Sequence, residues 1–533
     1  MTYDFIIVGA GSAGCVLANR LSANPAHKVL LLEAGSSDWN PLIHMPAGVA
    51  MLVNNKGVNW DYSTEPEAKL NDRRLWWPRG KVLGGSSSIN AMCYIRGHAA
   101  DYDEWAAQGN PGWAFGDVLP YFIRSQHQAR GASEFHGLGG LLSVQDLTYT
   151  NPLSGMLLEA ATQAGYRRNS DFNGATQEGF GYYQVTQKNS ARCSTAAGYL
   201  KEAKARANLT VKTKCFTRRI VIEGGRAVAV EFEHGGKIER ADACTEILLA
   251  AGAINSPQLL MLSGVGPAAE LARHGIALKL DAPGVGANLQ DHLDACTIFK
   301  SPSGLTYDHT NDLLIGLKYF LFKKGIGTSN IAEAGGFVRS KLAPDARPDM
   351  QFHFVPAMLD DHGRKRIPGH GITLHGCGLR PRSRGHILLD SADPHAKARI
   401  FANYLSDPEG HDLKVLIEAV KLSREILKAS ALDKVRGDEL HPGAGVVSDS
   451  DLTAFIRAKA ETIYHPVGTC KMGHDALAVV DSELKVHGIE GLRVVDASIM
   501  PSLIGGNTNA PTVMIAEKAC DLILKPHAAL LAA

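Results

Sequence analysis

The N-terminal segment changes hydrophobic period twice within a short stretch. Phe5-Ile6-Ile7-Val8 is an unbroken apolar run, the pattern of a strand buried on both faces of a parallel sheet. Cys15, Val16, Leu17 and Leu21 then keep a helical stripe, which Asn24-Pro25 stops. Val29 to Leu32 is a second apolar run and ends at Glu33. Between the first strand and the helix lies Gly9-Ala10-Gly11-Ser12-Ala13-Gly14. Strand, glycine turn, helix, strand and acid, in that order, predict a mononucleotide-binding unit.

Farther along, the patterning becomes mixed. Residues 39–79 are rich in Pro, Asn and Trp and have little periodicity, so they read as a long excursion over the core. Arg219 to Glu223, Ala227 to Glu233 and Glu246 to Ala250 read as short strands, with Gly224-Gly225 and Gly235-Gly236 as hairpin turns. Asp312 to Lys324 reads as a capped helix that is apolar on more than one face. The plain expectation for it is a buried helix; the alternative is a surface for membrane contact or quinone access. Leu492-Arg493-Val494-Val495-Asp496 is another buried strand ending in an acid. The nucleotide unit is therefore expected to be discontinuous: residues 1–300 form its N-terminal part, 301–455 a substrate domain, and 456–533 close the nucleotide domain and the site.

Composition narrows the function. Lys plus Arg number 55 against 54 Asp plus Glu, which leaves no field for nucleic acid. The nine cysteines form no CxxC pair and no Cys/His cluster at zinc spacing. No metal site is expected, and reduced thiols suit a cytoplasmic protein. Asp4 interrupts the start and the glycine motif begins at Gly9, so no signal peptide is expected. No window of about eighteen apolar residues is uninterrupted. In the glycine motif, Gly9 permits the tight turn, Gly11 lets a pyrophosphate approach, and Gly14 lets helix and strand pack. The amides of Ser12 and Ala13 open the helix toward the phosphates. Glu33, 19 residues after Gly14, can accept from a ribose hydroxyl, and an acid there argues against NADP. The motif alone does not separate NAD from FAD.

Three further segments resemble signatures of the glucose-methanol-choline (GMC) oxidoreductases. Arg79-Gly80-Lys81-Val82-Leu83-Gly84-Gly85-Ser86-Ser87-Ser88-Ile89-Asn90 is similar to the first signature, and Gly252 to Leu260 with Gly264-Val265-Gly266-Pro267 to the second. Tyr464-His465-Pro466-Val467-Gly468 and Asn507-Thr508-Asn509-Ala510-Pro511 resemble the C-terminal active-site elements. Pro41 to Pro46 and Ser86 to His98 look closest to the choline-dehydrogenase-like branch, with quinone-linked aliphatic alcohol dehydrogenases nearest. The resemblance implies an α/β FAD-binding Rossmann-type domain of three layers and a second α+β substrate domain on an antiparallel sheet. It implies cofactor contacts from Ala34, Arg79, Val82, Gly84, Gly85, Ser86, Asn90, Ala91, Met92, Ala251, Asp496, Ala497, Asn509 and Pro511. Some relatives attach the flavin through a His in the first signature. Ile89 stands at that position, which implies non-covalent FAD.

Oxidising an alcohol removes a proton from oxygen and a hydride from carbon. With 21 histidines in the chain, one chosen blindly is ordinarily a surface or core residue. His465 gains weight because it matches the family's active-site His, and neutral imidazole suits a base. Asn509 matches its partner and can donate to a developing oxyanion. Glu333, His353 and Tyr464 match the pocket. In choline-oxidising relatives the acid faces a quaternary ammonium, whereas the other reading of Glu333 is a structural hydrogen-bond partner. His292, in Asn288-Leu289-Gln290-Asp291-His292, is read as structural. The expected reaction is oxidation of a primary alcohol to an aldehyde, with a quinone or another non-NAD acceptor. Choline dehydrogenase, an oxygen-using oxidase and a non-catalytic flavoprotein are the alternatives. Location is expected in the cytoplasm, with peripheral contact at the inner membrane open.

Overall fold

The computed structural model describes residues 2–365 and 367–531. Two large sheets organise the chain. In the first, Leu209–Lys212, Val29–Leu32, Thr2–Val8, Lys237–Leu249 and Leu492–Val494 lie side by side and parallel. All four residues of Val29–Leu32 are buried, as a strand covered on both faces requires. Lys237–Leu249 is long enough to leave the parallel layer. Its first half pairs antiparallel with Arg226–His234, which pairs in turn with Phe216–Glu223. The Gly-Gly pairs at 224–225 and 235–236 all have positive φ and make the two turns. Leu492–Val494, late in the chain, joins this sheet beside Lys237–Leu249.

The second sheet is antiparallel throughout, in the order Glu439–His441, Leu293–Lys300, Gly371–Gly378, Met350–Val355, Ala334–Val338, Gly179–Tyr182. Its strands alternate strictly. Met350, Phe352 and Phe354 enter the core shared with helices Pro152–Gln163 and His411–Leu427. His353 and Val355, on the opposite face, line a cavity, as do Asp294, Cys296 and His375 from the neighbouring strands. One face of this sheet thus builds a core and the other a site.

Two expectations change here. The boundary at residue 301 does not follow the sheets, because Gly179–Tyr182 and Leu293–Lys300 belong to the antiparallel one. Both strands lie inside the span assigned to the nucleotide domain, since short strands carry no mark of which sheet they join. The apolar helix runs from Asp312 to Phe322, capped by Asn311, and it is not buried. Only Tyr319 is buried, and its hydroxyl donates to the His44 carbonyl at 2.8 Å. Leu313 is 80% exposed and Leu321 64%, and Leu314, Leu317, Phe320 and Phe322 stand in water with them.

Candidate active site

A single cavity of about 950 Å³ runs from the glycine turn to the antiparallel sheet. At one end, the helix Ser12–Leu21 opens without a side-chain cap, so its first N–H groups are free for an anion. A Cβ on Gly9 would come 2.6 Å from the Ala250 carbonyl oxygen, and one on Gly14 would come 1.8 Å from that of Gly9. Gly11 meets nothing closer than 4.0 Å; its missing side chain leaves room on the cavity side. Glu33 is buried, and its two oxygens accept from Ala10 N at 2.9 Å and Gly35 N at 2.8 Å. Burial outweighs those bonds and pushes its carboxyl up to about 7.

The first signature folds directly onto this turn. Gly84 N donates to the Ala10 carbonyl at 2.7 Å, and a Cβ on Gly85 would lie 2.7 Å from Gly11 Cα. Ser86, Asn90, Ala91 and Met92 continue along the cavity wall. Asn90 is held from behind by the buried Arg192, whose Nη1 donates to its carbonyl at 2.6 Å and its side-chain oxygen at 2.9 Å. Nothing in the motif pointed to Arg192. Ala34, Arg79, Ala251, Asp496, Ala497 and Asn509 also line the cavity. Asp496 is already engaged, accepting from Gly252 N, Ser256 Oγ and Ser498 N.

Four expected cofactor residues do not line it. Gly14 packs helix on strand, and Gly84 turns the signature loop. Val82 packs with Ile43, Leu52, Val58 and Ile89. Pro511 lies within the terminal helix that begins at Asn509. Each supports a neighbour that does reach the cavity. Ile89 does line it, with only carbon atoms to offer.

At the other end sits His465. Its backbone N–H donates to Asp291 Oδ1 at 2.7 Å. Its Nδ1 is 3.0 Å from His292 Nδ1, and its Nε2 is 3.1 Å from Asn507 Nδ2. Burial, with His292, His353 and Arg79 nearby, holds the imidazole well below the ordinary histidine range, so the ring is neutral and basic in form. Tyr464 precedes it in the left-handed region at φ 72°, a conformation that needs over-determination in a tyrosine. Arg79 Nη2 donates to its carbonyl at 2.8 Å, Thr462 Oγ1 accepts from its N–H at 2.8 Å, and His362 Nδ1 meets its hydroxyl. His353 stacks on Tyr183 at 5.1 Å. Burial lowers its pKa to about 4, and its Nδ1 has no hydrogen-bond partner among the described residues.

Two expected site residues make contacts that the sequence did not specify. The residue at His465 Nε2 is Asn507, while Asn509 accepts from Ser12 Oγ at 2.7 Å. Asn509 starts the terminal helix, and that start turns it toward the glycine turn. Glu333 does not line the cavity. It is fully buried and accepts from Asn151 N at 2.6 Å, Ser154 Oγ at 2.9 Å, Ser329 Oγ at 2.6 Å and the Tyr307 hydroxyl. Four donors satisfy the carboxylate, and its burial outside the cavity lining, behind Tyr307, keeps a ligand cation out of contact with it.

The glycine cradle, the uncapped helix start and the buried acid fit the pyrophosphate and ribose of FAD, and the signature wall fits a flat ring beyond them. Comparison with known proteins agrees. Residues 3–294 and 381–516 match the N- and C-terminal models of GMC oxidoreductases. The chain is 51% identical to an alcohol dehydrogenase [acceptor] of Pseudomonas putida, covering 98% of this chain and 96% of that one. It is 46% identical to an oxygen-dependent choline dehydrogenase of Photobacterium profundum, covering 98% and 93%. Its fold superposes on a formate oxidase of Aspergillus oryzae with a TM-score of 0.92 at 27% identity, covering 99% of each chain.

Proposed function

The chain belongs to the GMC oxidoreductase family, and on that premise we propose that it oxidises a neutral primary alcohol to an aldehyde and passes the electrons to a membrane quinone. FAD, when bound, takes the hydride from the carbinol carbon. The protein's share is the proton. His465 Nε2 faces the cavity as an acceptor and takes the O–H proton. Asn507 Nδ2, beside it, donates to the oxygen as charge develops there. Tyr464 and Arg79 hold the backbone that carries the imidazole.

The observation that carries the neutral-substrate reading is Glu333. The acid that would pair with a quaternary ammonium is fully buried outside the cavity lining and held there by four protein donors. Val49, Met51, Ile315 and Ile326 give the cavity apolar lining.

The acceptor reading rests on the helix Asp312–Phe322. Its Asp312 and Ile315 line the cavity, while six large apolar side chains of the same helix are exposed. Each would gain about 1.5–3 kcal/mol on full burial, too much for one short helix to leave in water without a partner. Lys318, Lys323 and Lys324 are exposed beside them, an arrangement that suits an anionic bilayer surface. No helix among the described residues is long and apolar enough to cross a membrane, so the proposed contact is peripheral, from the cytoplasmic side of the inner membrane. The deciding experiment is a panel of aliphatic alcohols and choline run with a soluble quinone, oxygen and NAD. Fast turnover of neutral alcohols with quinone is expected. Choline as the preferred substrate would overturn the reading.

A further inference from the structure

His465 is one member of a chain of hydrogen bonds whose two ends each determine where its proton sits. At the far end, His292 Nε2 lies 3.3 Å from the Leu379 carbonyl oxygen. A carbonyl can only accept, so His292 carries its hydrogen on Nε2. Burial lowers the His292 pKa to about 3, so the ring is neutral and its Nδ1 is a bare acceptor. Across 3.0 Å from that Nδ1 is His465 Nδ1, which must therefore be the donor. Neutral His465 then has its lone pair on Nε2.

The near end gives the same answer independently. Gln351 Nε2 donates to Asn507 Oδ1 at 3.0 Å, which turns the Asn507 amide nitrogen toward His465. That nitrogen lies 3.1 Å from His465 Nε2, and an NH₂ group needs an acceptor there. Among the described residues, no carboxylate hydrogen-bonds to either imidazole; Asp291 meets the backbone N–H of His465.

We propose that His292 is a positioning residue, which accepts the Nδ1–H of His465 and so holds the base in the tautomer whose lone pair is on Nε2, where the alcohol O–H takes the place of the Asn507 amide hydrogen. The inference rests on His465 being the base for alcohol oxidation. It adds that the tautomer is imposed by a second histidine anchored on a main-chain carbonyl, where many enzymes use an acid for the same task. A neutral acceptor orients the ring and raises its basicity less than a carboxylate would, which agrees with a base kept uncharged by burial.

The test has two arms on FAD-loaded protein. In the first, ¹⁵N-histidine spectra, with His465 and His292 assigned from His465→Gln and His292→Asn, report which ring nitrogen bears hydrogen. The expected result is hydrogen on Nδ1 of His465 and on Nε2 of His292. Hydrogen on Nε2 of His465 overturns the proposal, and this reading does not depend on any variant being active. In the second arm, His292→Phe removes the acceptor, while His292→Asn puts an amide oxygen where Nδ1 was. Flavin reduction by alcohol should slow on the order of ten- to a hundredfold in His292→Phe, with dithionite reduction unchanged. His292→Asn should recover most of the rate and keep the His465 tautomer signal. Equal loss in both variants with that signal unmoved would mean that His292 only fills space. A slow His465→Ala beside a full-speed His292→Phe overturns this inference alone, whereas a full-speed His465→Ala overturns the functional reading beneath it.

Discussion

Ser12 Oγ donates to Asn509 Oδ1 across 2.7 Å, so the turn that opens the first helix and the residue that opens the last one form a single contact. This separates the two asparagines of the Asn507-Thr508-Asn509 string. Asn509 is tied to the phosphate end of the cavity, and Asn507 to the base. Asn509→Ala should weaken FAD binding about tenfold, the size of one buried hydrogen bond, with a smaller effect on the reduction rate of reloaded enzyme. Asn507→Ala should do the reverse. Fluorescence titration of the apoprotein with FAD and stopped-flow reduction of the holoprotein read the two effects separately. Equal FAD affinity in both variants would place the Ser12 contact outside cofactor binding.

His465→Ala should bind FAD normally and be reduced by alcohol about 10² to 10⁴ times more slowly. Dithionite, which needs no base, should reduce it at the parental rate. The pH profile of the parent follows from the direction of the shift. Burial favours neutral imidazole, so the reduction rate should stay level as pH falls through about 6.5, where an ordinary histidine base would begin to fail. A rate that halves near that pH points to a different base.

Glu333→Gln tests what the carboxylate is for. A glutamine puts an NH₂ group where one carboxylate oxygen accepted two bonds, so two of the four donors lose their acceptor, at a cost of about 1–3 kcal/mol each. The holoprotein should melt lower, and the KM of neutral alcohols and of choline should move together. A rise confined to choline would show that the acid reads a cation after all.

How far the sequence could be read follows from what each residue's geometry demands. The nucleotide turn was legible because Gly9 and Gly14 have no substitute: a Cβ at either would overlap a carbonyl. Glu33 was legible because it stands at the end of a strand beside that turn. Glu333 was not, since a carboxylate next to a strand has the same pattern whether it faces a ligand or four protein donors. Asn507 and Asn509 are two residues apart, and only the first turn of the terminal helix decides which one reaches His465. The helix Asp312–Phe322 shows the same limit. Apolar residues around its whole circumference suit a core or a bilayer, and exposure alone tells them apart. His292 sat in a legible motif string, but its link to Leu379 comes from a residue 87 positions away, just past the strand Gly371–Gly378.

The exposed helix gives a prediction about location. The parent should sediment with anionic phospholipid vesicles and be released by salt only in part, because the apolar contact does not screen. The triple variant Leu314→Glu, Leu317→Glu, Leu321→Glu should stay in the supernatant. These side chains are exposed, so the variant should fold and keep its activity with a soluble dye while losing activity with a bilayer-dissolved quinone. Undiminished vesicle binding would assign the surface to something other than lipid.

Glu33 links cofactor affinity to pH, and the sign can be worked out. Burial raises its carboxyl to about 7 in the protein without ligand, well above the usual carboxylate range of about 4.3. A ribose hydroxyl donates best to the ionised form, so bound FAD favours deprotonation and lowers that pKa. FAD should therefore bind most tightly above pH 7. Its Kd should rise as pH falls from about 7, by at most about tenfold per pH unit for one proton taken up, and then level off below the pKa of the complex. The same raised pKa makes the apoprotein less stable as pH rises from the carboxylate range through 7, because the buried charge then forms with no ligand to receive it. Cofactor and acid thus relieve each other: the pH range that strains the empty site is the range in which FAD binds best. Glu33→Gln should flatten both slopes, with Kd fixed near the weak, low-pH limit of the parent. Titrations of apoprotein with FAD between pH 5 and about 8.5, paired with thermal melts of apoprotein over the same range, measure both. A parental Kd that does not change across that span would remove Glu33 from the ribose.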